Sequence, residues 1–445
     1  MIRPSSQSLR SWGRAAPTVS RAWRVETRDD VLAGMRAAGP RGLIARGFGR
    51  SYGDACLNDG GDVLDLTPLA SIHSFDPETG VLHCDAGTSF RAIMQHCVPL
   101  GWQPHICPGT ATISMGGAIA NDVHGKNHHG AGSFGDHLDW FELLMPDGTV
   151  RRITADSDPD LFAATLGGIG LTGVILSVQF RLARIPSNAM DLREVRVRDL
   201  DSFLELLQAA ERDYPYVVGW IDGLTKGRTM GRGILELARP APESVPEPRA
   251  FAVSIPFDFP TWVLNRYSIS AFNALYYRRV PAAGRARRVH VNGFLYPLDA
   301  LHQWNRMYGR NGVYQFQCVV PFAEGRRALI ELMEATVRSP TPSFLGVLKS
   351  MGRRGRGMLS FPMPGFVLAL DFARTPESTR LVKRLQDIAL KYDGRVYLAK
   401  DACLTPAELR AMYPEVERFK AVLKRVDPTE LMQSGMSRRL DLSGS

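Results

Sequence analysis

Three kinds of signal are missing from this sequence. Its six cysteines, Cys56, Cys84, Cys97, Cys107, Cys318 and Cys403, form no CxxC pair and no zinc spacing. That excludes a disulfide framework or a structural zinc site as the basis of the fold, and the cysteines read as buried thiols of a reducing compartment. No apolar run is long enough to span a bilayer. Met1 to Trp23 carries arginines without a continuous apolar stretch, so no signal peptide is expected. A cytoplasmic location is the default, with peripheral contact at the inner membrane face left open. There is also no credible nicotinamide fingerprint. Gly168-Ile169-Gly170-Leu171-Thr172-Gly173 fits GxGxxG, but it follows a helical pattern and precedes a strand, the reverse of the dinucleotide-binding order.

Two further matches fail on context. Gly49-Arg50-Ser51-Tyr52-Gly53 fits the GxSxG elbow of hydrolases, yet a loop follows where a helix is needed. His124, His128 and His129 lack a carboxylate or cysteine partner, and Lys126 between them would repel a cation, so no metal is expected.

What is present fits a globular protein of two or three domains: 445 residues, 44% hydrophobic and 22% charged. The net charge of +9 is scattered along the chain. No RNP, zinc-finger or helix-turn-helix pattern accompanies it, so nucleic acid is not expected. An anionic substrate or an anionic membrane face remains.

The segment 41–47 reads as a short buried strand entering a glycine-rich loop. Residues 72–86 read as a hairpin about Asp76-Pro77-Glu78-Thr79-Gly80. Ser89 caps a helix closed by Gly101, Phe141–Met145 pairs with Val150–Ile153, Asp158-Pro159-Asp160 opens a helix, and Val174–Leu182 is an alternating strand. Between them, 108–136 holds few residues fit for a regular element, a length of irregular chain that is usually functional. Residues 255–290 combine Phe257, Phe259, Trp262, Tyr267, Phe272, Tyr276 and Tyr277 with arginines from Arg266 to Arg288. This mix suits either a membrane interface or an ordinary helical layer.

The chemistry lies in two glycine-rich loops. In the first, Arg46-Gly47-Phe48-Gly49-Arg50-Ser51-Tyr52-Gly53-Asp54, glycines let successive amides turn toward one anion. In the second, Pro108-Gly109-Thr110 leads to Ser114-Met115-Gly116-Gly117, a helix start that favours an anion, and on to His124-Gly125-Lys126-Asn127. Two such loops in this order fit a pyrophosphate flanked by two large groups.

Arg-Gly-x-Gly-x-Ser after a strand, then Pro-Gly-Thr and a Gly-Gly helix start, resembles the FAD-binding pattern of the vanillyl-alcohol-oxidase (p-cresol methylhydroxylase) superfamily. Residues 11–19, 45–54, 116–135, 167–173, 294–309, 359–365 and 397–402 resemble its branch that oxidises polyprenylphosphoryl ribose, and they span nearly the whole chain. The resemblance implies an α+β fold of two domains: an FAD-binding domain of two α/β subdomains (1–186), a substrate domain with a helix-covered antiparallel sheet (187–394), and a C-terminal segment (395–445) returning to the first. It implies an FAD-dependent oxidoreductase that converts the 2′-hydroxyl of a polyprenylphosphoryl-β-D-ribose to the ketone, half of an epimerisation to the arabinose form for cell-envelope glycan. A separate NAD(P)H-dependent short-chain reductase would complete it. A soluble sugar, alditol or aldonolactone oxidase of the same superfamily, and a basic scaffold with merely structural loops, are the alternatives.

Residue by residue, the resemblance implies that Ala45, Arg46, Gly47, Phe48, Gly49, Arg50, Ser51, Tyr52 and Gly53 hold the pyrophosphate and flavin edge. Gly109, Ser114, Met115, Gly116 and Gly117 form the opposite wall. His124, Gly125, Lys126 and Asn127 approach the flavin ring and substrate, Ile175 touches the adenine side, and Tyr397 and Lys400 return from the C-terminal segment. Tyr314, Gln315, Gln317 and Lys400 line the substrate pocket. Lys400, His124, Lys126, Tyr52 and Gln317 form the catalytic set. Arg50 stands where many superfamily members carry the histidine that bonds to flavin, so FAD is expected without a covalent link. Ala369 stands where some members have cysteine.

Overall fold

A computed structural model describes residues 3–15, 17–247, 253–260 and 262–442. The first 184 residues build two sheets. In the first, the order is Ser5–Leu9, Thr18–Arg24, Asp62–Asp65, Leu43–Arg46, the last three parallel to one another. Leu43–Arg46 is buried among its neighbours and delivers the chain directly into the first glycine loop.

The second sheet runs Ile72–Phe75, Val81–Asp85, Val174–Arg184, Leu138–Leu144, Val150–Ile153. Its first hairpin turns where expected: Asp76 accepts from the Glu78 amide and the Thr79 hydroxyl, and Gly80 takes φ +73° to close the turn. Ser89 caps Phe90–Cys97, and Gly101 ends the following 3-10 turn in the left-handed region. Val174–Arg184 alternates only in its second half. Its first five residues are all buried, because this part is the sheet's centre and carries structure on both faces. The expected irregular stretch 108–136 contains a short helix, Met115–Ala120, whose first turn Ser114 caps through the Gly117 amide.

The third sheet has eight strands in the order Arg285–His290, Ala189–Val197, Gly233–Pro240, Tyr216–Ile221, Gly346–Met351, Gly365–Ala373, Val313–Val320, Arg395–Val396, with every pair antiparallel. Helices Leu200–Ala210, Phe322–Arg338 and Pro376–Lys391 pack on one face: Phe203 lies under Gly219 and Gly233, and Gly325 sits against Phe366. Because side chains alternate along a strand, the other face presents Val218 and Trp220, Gln315 and Gln317, Val347 and Lys349, Val367 and Ala369 to a cavity.

After Arg395–Val396 the chain returns to the first glycine loop. The Tyr52 amide donates to Ala399 O at 2.9 Å, and Arg439 bridges Asp54 and Asp401 at 2.8 and 3.0 Å. No helix among the described residues is long and apolar enough to cross a membrane.

In 255–290, the chain forms a helix that is only partly buried. Helix Arg266–Arg278 buries Ile269 and Asn273 and turns Tyr276 into the cavity, while Tyr267 and Leu275 are 87% and 72% exposed. The arginines that follow are committed to carboxylates, which corrects the idea that all of them await phosphate. Arg279, Arg285 and Arg287 surround the buried Glu194, and Arg288 pairs with Asp191 and Glu243.

Candidate active site

A cavity of about 760 Å³ opens between the two N-terminal sheets and the bare face of the third, near the upper end of the roughly 300–1,000 Å³ common for ligand clefts. Both glycine loops line it. They also touch: a Cβ on Gly47 would fall 2.2 Å from Ser114 Oγ. The amides of Gly47, Phe48, Gly49, Arg50 and Ser51 have no acceptor among the described residues, and neither do those of Gly109 and Thr110. Native chains rarely leave so many successive amides unpaired beside a cavity. The amides of Met115, Gly116 and Gly117 are taken by Thr88 O, Ala86 O and Ser114 Oγ, so the second loop offers an anion its Gly109 and Thr110 amides rather than the expected helix start. Free N–H groups on two loops beside one cavity are what a diphosphate needs, so the residues fit FAD.

Arg50 lies over the Trp12 ring at 4.2 Å. Its Nε is buried without a partner, and burial lowers its pKa, opposed by Asp299. A guanidinium cannot form the histidyl–flavin bond, so the cofactor is held non-covalently. Ile175, Ile169, Gly170 and Gly173 line the same cavity. The GxGxxG segment, rightly refused as a Rossmann turn, still contributes this wall, with Gly170 at φ +82°.

The polar end gathers His124, Lys126, Gln315, Gln317, Tyr397 and Lys400, as expected, and adds Lys349, Glu236, Trp220, Arg91 and Trp12, which sequence reading missed. The alternation of Val347 and Lys349 in a strand was the available signal for Lys349. His124 is held by Gln317, nitrogen to nitrogen at 3.1 Å, and packs on Tyr397 and Phe361. Burial, then the charges of Lys349, His128 and Lys400, push its pKa well below normal. Lys400 Nζ sits 4.0 Å from the Tyr52 ring centroid. Burial lowers its pKa to about 8, with Asp371 opposing. Lys126 Nζ donates to Phe294 O at 2.5 Å and lies 3.8 Å from Glu236.

Four expected residues stand off the cavity. Tyr314 points to the helix face of its strand, where its hydroxyl meets Thr379 and Arg374; alternation that turns Gln315 inward turns Tyr314 outward. Met115 is buried in the core beneath the helix it begins. Asn127 is held by His105 O. Gly53 admits the returning chain, since a Cβ there would lie 1.7 Å from Asp401 O.

Asp371 lies behind Gln315, whose amide donates to it at 2.6 Å. Burial raises its pKa to about 7, so the fold prefers its protonated form. That contribution is complete below the unfolded pKa near 3.8 and is lost as pH rises through about 7. Asp371→Asn is expected to melt higher than wild type at pH 8, by about a few degrees, with little difference at pH 4. Thermal unfolding at both pH values checks this.

The fold and cradle define an FAD-dependent oxidoreductase of the vanillyl-alcohol-oxidase type. Consistently, residues 20–154 match the FAD binding domain family, and residues 366–440 match the family described as D-arabinono-1,4-lactone oxidase. The chain is 36% identical to decaprenylphosphoryl-β-D-ribose oxidase of Mycolicibacterium smegmatis, over 98% of each chain. It is 23% identical to L-gulono-1,4-lactone dehydrogenase of Mycobacterium tuberculosis over 92% of each. The chain belongs to the decaprenylphosphoryl-β-D-ribose oxidase family.

Proposed function

We propose that the protein oxidises the 2′-hydroxyl of a polyprenylphosphoryl-β-D-ribose to the ketone, and that a separate NAD(P)H-dependent reductase completes epimerisation to the arabinose form. The similarity to decaprenylphosphoryl-β-D-ribose oxidase, far stronger than that to L-gulono-1,4-lactone dehydrogenase, supports the reading over the lactone oxidases. The observation that carries it is helix Arg266–Arg278, which has Tyr276 in the cavity wall and Tyr267 and Leu275 in solvent. A sugar phosphate can enter the lysine-rich end while an apolar tail leaves along this helix.

Bound FAD would supply a hydride acceptor for the sugar C–H. The free amides of Gly47–Ser51 and Gly109–Thr110 would hold its diphosphate. Lys400, on the segment that also closes over Tyr52, would set a positive charge beside the reacting end. His124 and Gln317 orient the sugar, and Lys126, whose pKa burial lowers with Glu236 opposing, attracts the phosphate. Trp220, Val347 and Val367 exclude water from the reacting end.

The test is anaerobic mixing with polyprenylphosphoryl ribose, which should bleach the flavin absorbance. Bleaching by free alditols or aldonolactones alone would favour the lactone-oxidase reading instead.

The segment around Trp262, 74% exposed, with Tyr267 and Leu275, supports peripheral contact with an anionic membrane. The protein is expected to sediment with anionic liposomes, and Trp262→Glu with Leu275→Glu to release it. Equal recovery in the supernatant with and without liposomes would count against membrane contact.

A further inference from the structure

The polar end of the cavity holds three lysines whose surroundings differ. Lys126 has a carboxylate: Glu236 is 3.8 Å away, and its ammonium also lies 4.1 Å from the Phe294 ring centroid. Lys400 lies over the Tyr52 ring and feels Asp371. Lys349 has neither. Its Nζ donates to Gly125 O at 3.1 Å, and no carboxylate of the described residues forms an ion pair with it. It projects from the middle of strand Gly346–Met351, paired to Val367 and flanked by the strand of Trp220, so its backbone is fixed.

The charged and titratable groups facing it are almost all basic. Lys126 and His124 come from the second loop, His128 from the helical turn after it, Lys400 from the returning chain, and Glu236, already engaged by Lys126, from the neighbouring strand. Glu211 bonds Ser350, the next residue, whose side chain points the other way.

We infer that the amine of Lys349 accepts the hydroxyl proton during oxidation of the sugar, an assignment resting on the sugar-oxidation reading above. Gly125 O takes one N–H and no other described group bonds to Nζ, so a neutral amine keeps its lone pair free. As the O–H bond breaks, its electron pair becomes the second C–O bond, the C–H pair departs as hydride to FAD, and the proton forms an ammonium on Nζ. His124 is unsuited to this task. Gln317 donates to its Nε2, which puts the ring proton on Nδ1, an atom buried without a partner, so neither ring nitrogen is free to take the hydroxyl proton. Burial, then the charges of Lys126 and Lys400, bring the pKa of Lys349 from 10.5 to about 7, the range in which a general base works best at neutral pH.

The experiment uses FAD-loaded wild type, Lys349→Met and Lys349→Arg. The chain has eight lysines, few enough for NMR of protein labelled with 13C at lysine Cε. One resonance, missing from Lys349→Arg, should titrate near pH 7; a Lys349 signal that stays charged beyond pH 9 overturns the inference. In anaerobic stopped flow with polyprenylphosphoryl ribose, the wild-type bleaching rate should rise through about pH 7. Lys349→Met should bleach about 100-fold or more slowly at saturation while its flavin spectrum still responds to substrate binding. Lys349→Arg should not rescue it, whereas a phosphate-binding role would be rescued. Bleaching of Lys349→Met at the wild-type rate also overturns the inference. A wild type that binds FAD yet is not bleached sinks the substrate reading instead, and the NMR titration still decides whether Lys349 is the neutral amine.

Discussion

Gly47→Val is expected to purify colourless. A side chain at position 47 starts 2.2 Å from Ser114 Oγ, inside any tolerable contact distance, and Ser114 cannot retreat without abandoning its cap on Met115–Ala120. Either the two loops separate or the helix start frays. In both cases the free amides of Gly47–Ser51 no longer converge with those of Gly109 and Thr110 on one diphosphate. The expected loss is at least about 100-fold in FAD affinity, some 3 kcal/mol. The clash is at the rim of the cavity rather than in a packed core, so the far-UV circular dichroism should stay close to wild type. The ratio of flavin to protein absorbance checks the result; wild-type FAD content in the variant would mean that the loops do not form a shared cradle.

Lys400→Ala, in contrast, is expected to keep its FAD and lose its rate. Lys400 reaches the Tyr52 ring and bonds to none of the free amides, so cofactor affinity should change little. Removing a positioned cation from the site where charge develops typically costs about 10²–10³ in rate. The sign of the pH effect follows from its lowered pKa of about 8: the ammonium is the active form, so the wild-type rate falls as pH rises past about 8. Together with a base that must be neutral above about 7, this gives a narrow bell whose apparent limits belong to the coupled cluster. Lys400→Ala should lack the alkaline limb. Anaerobic flavin reduction followed across pH is the measurement. A variant with full FAD and the wild-type rate would remove Lys400 from the chemistry.

The local sequence wrote much of this plainly. The hairpin at Asp76–Gly80 and the Ser89 and Asp158 caps are set by residues close in sequence, and each formed where turn and cap chemistry predicts. The resemblance placed Tyr314 beside Gln315, and Met115 beside Gly116, in the site, whereas a strand or helix sends neighbours to opposite sides. Gly53 is glycine for the sake of the returning chain at Asp401, some 350 residues later, a contact no local pattern contains. Lys349 and Glu236 enter the site from strands that only the eight-stranded order brings together. Their polarity inside otherwise apolar strand stretches was visible, but which cavity they would share was not. The Glu194 cluster likewise converts arginines that looked available for phosphate into internal ion pairs.

The most direct test of the whole account is a single anaerobic titration of the yellow protein with polyprenylphosphoryl-β-D-ribose. The cavity described here predicts stoichiometric bleaching of the flavin and recovery of the 2′-keto sugar phosphate. A flavin that stays oxidised with this substrate, yet bleaches with an unphosphorylated alditol or aldonolactone, would contradict it.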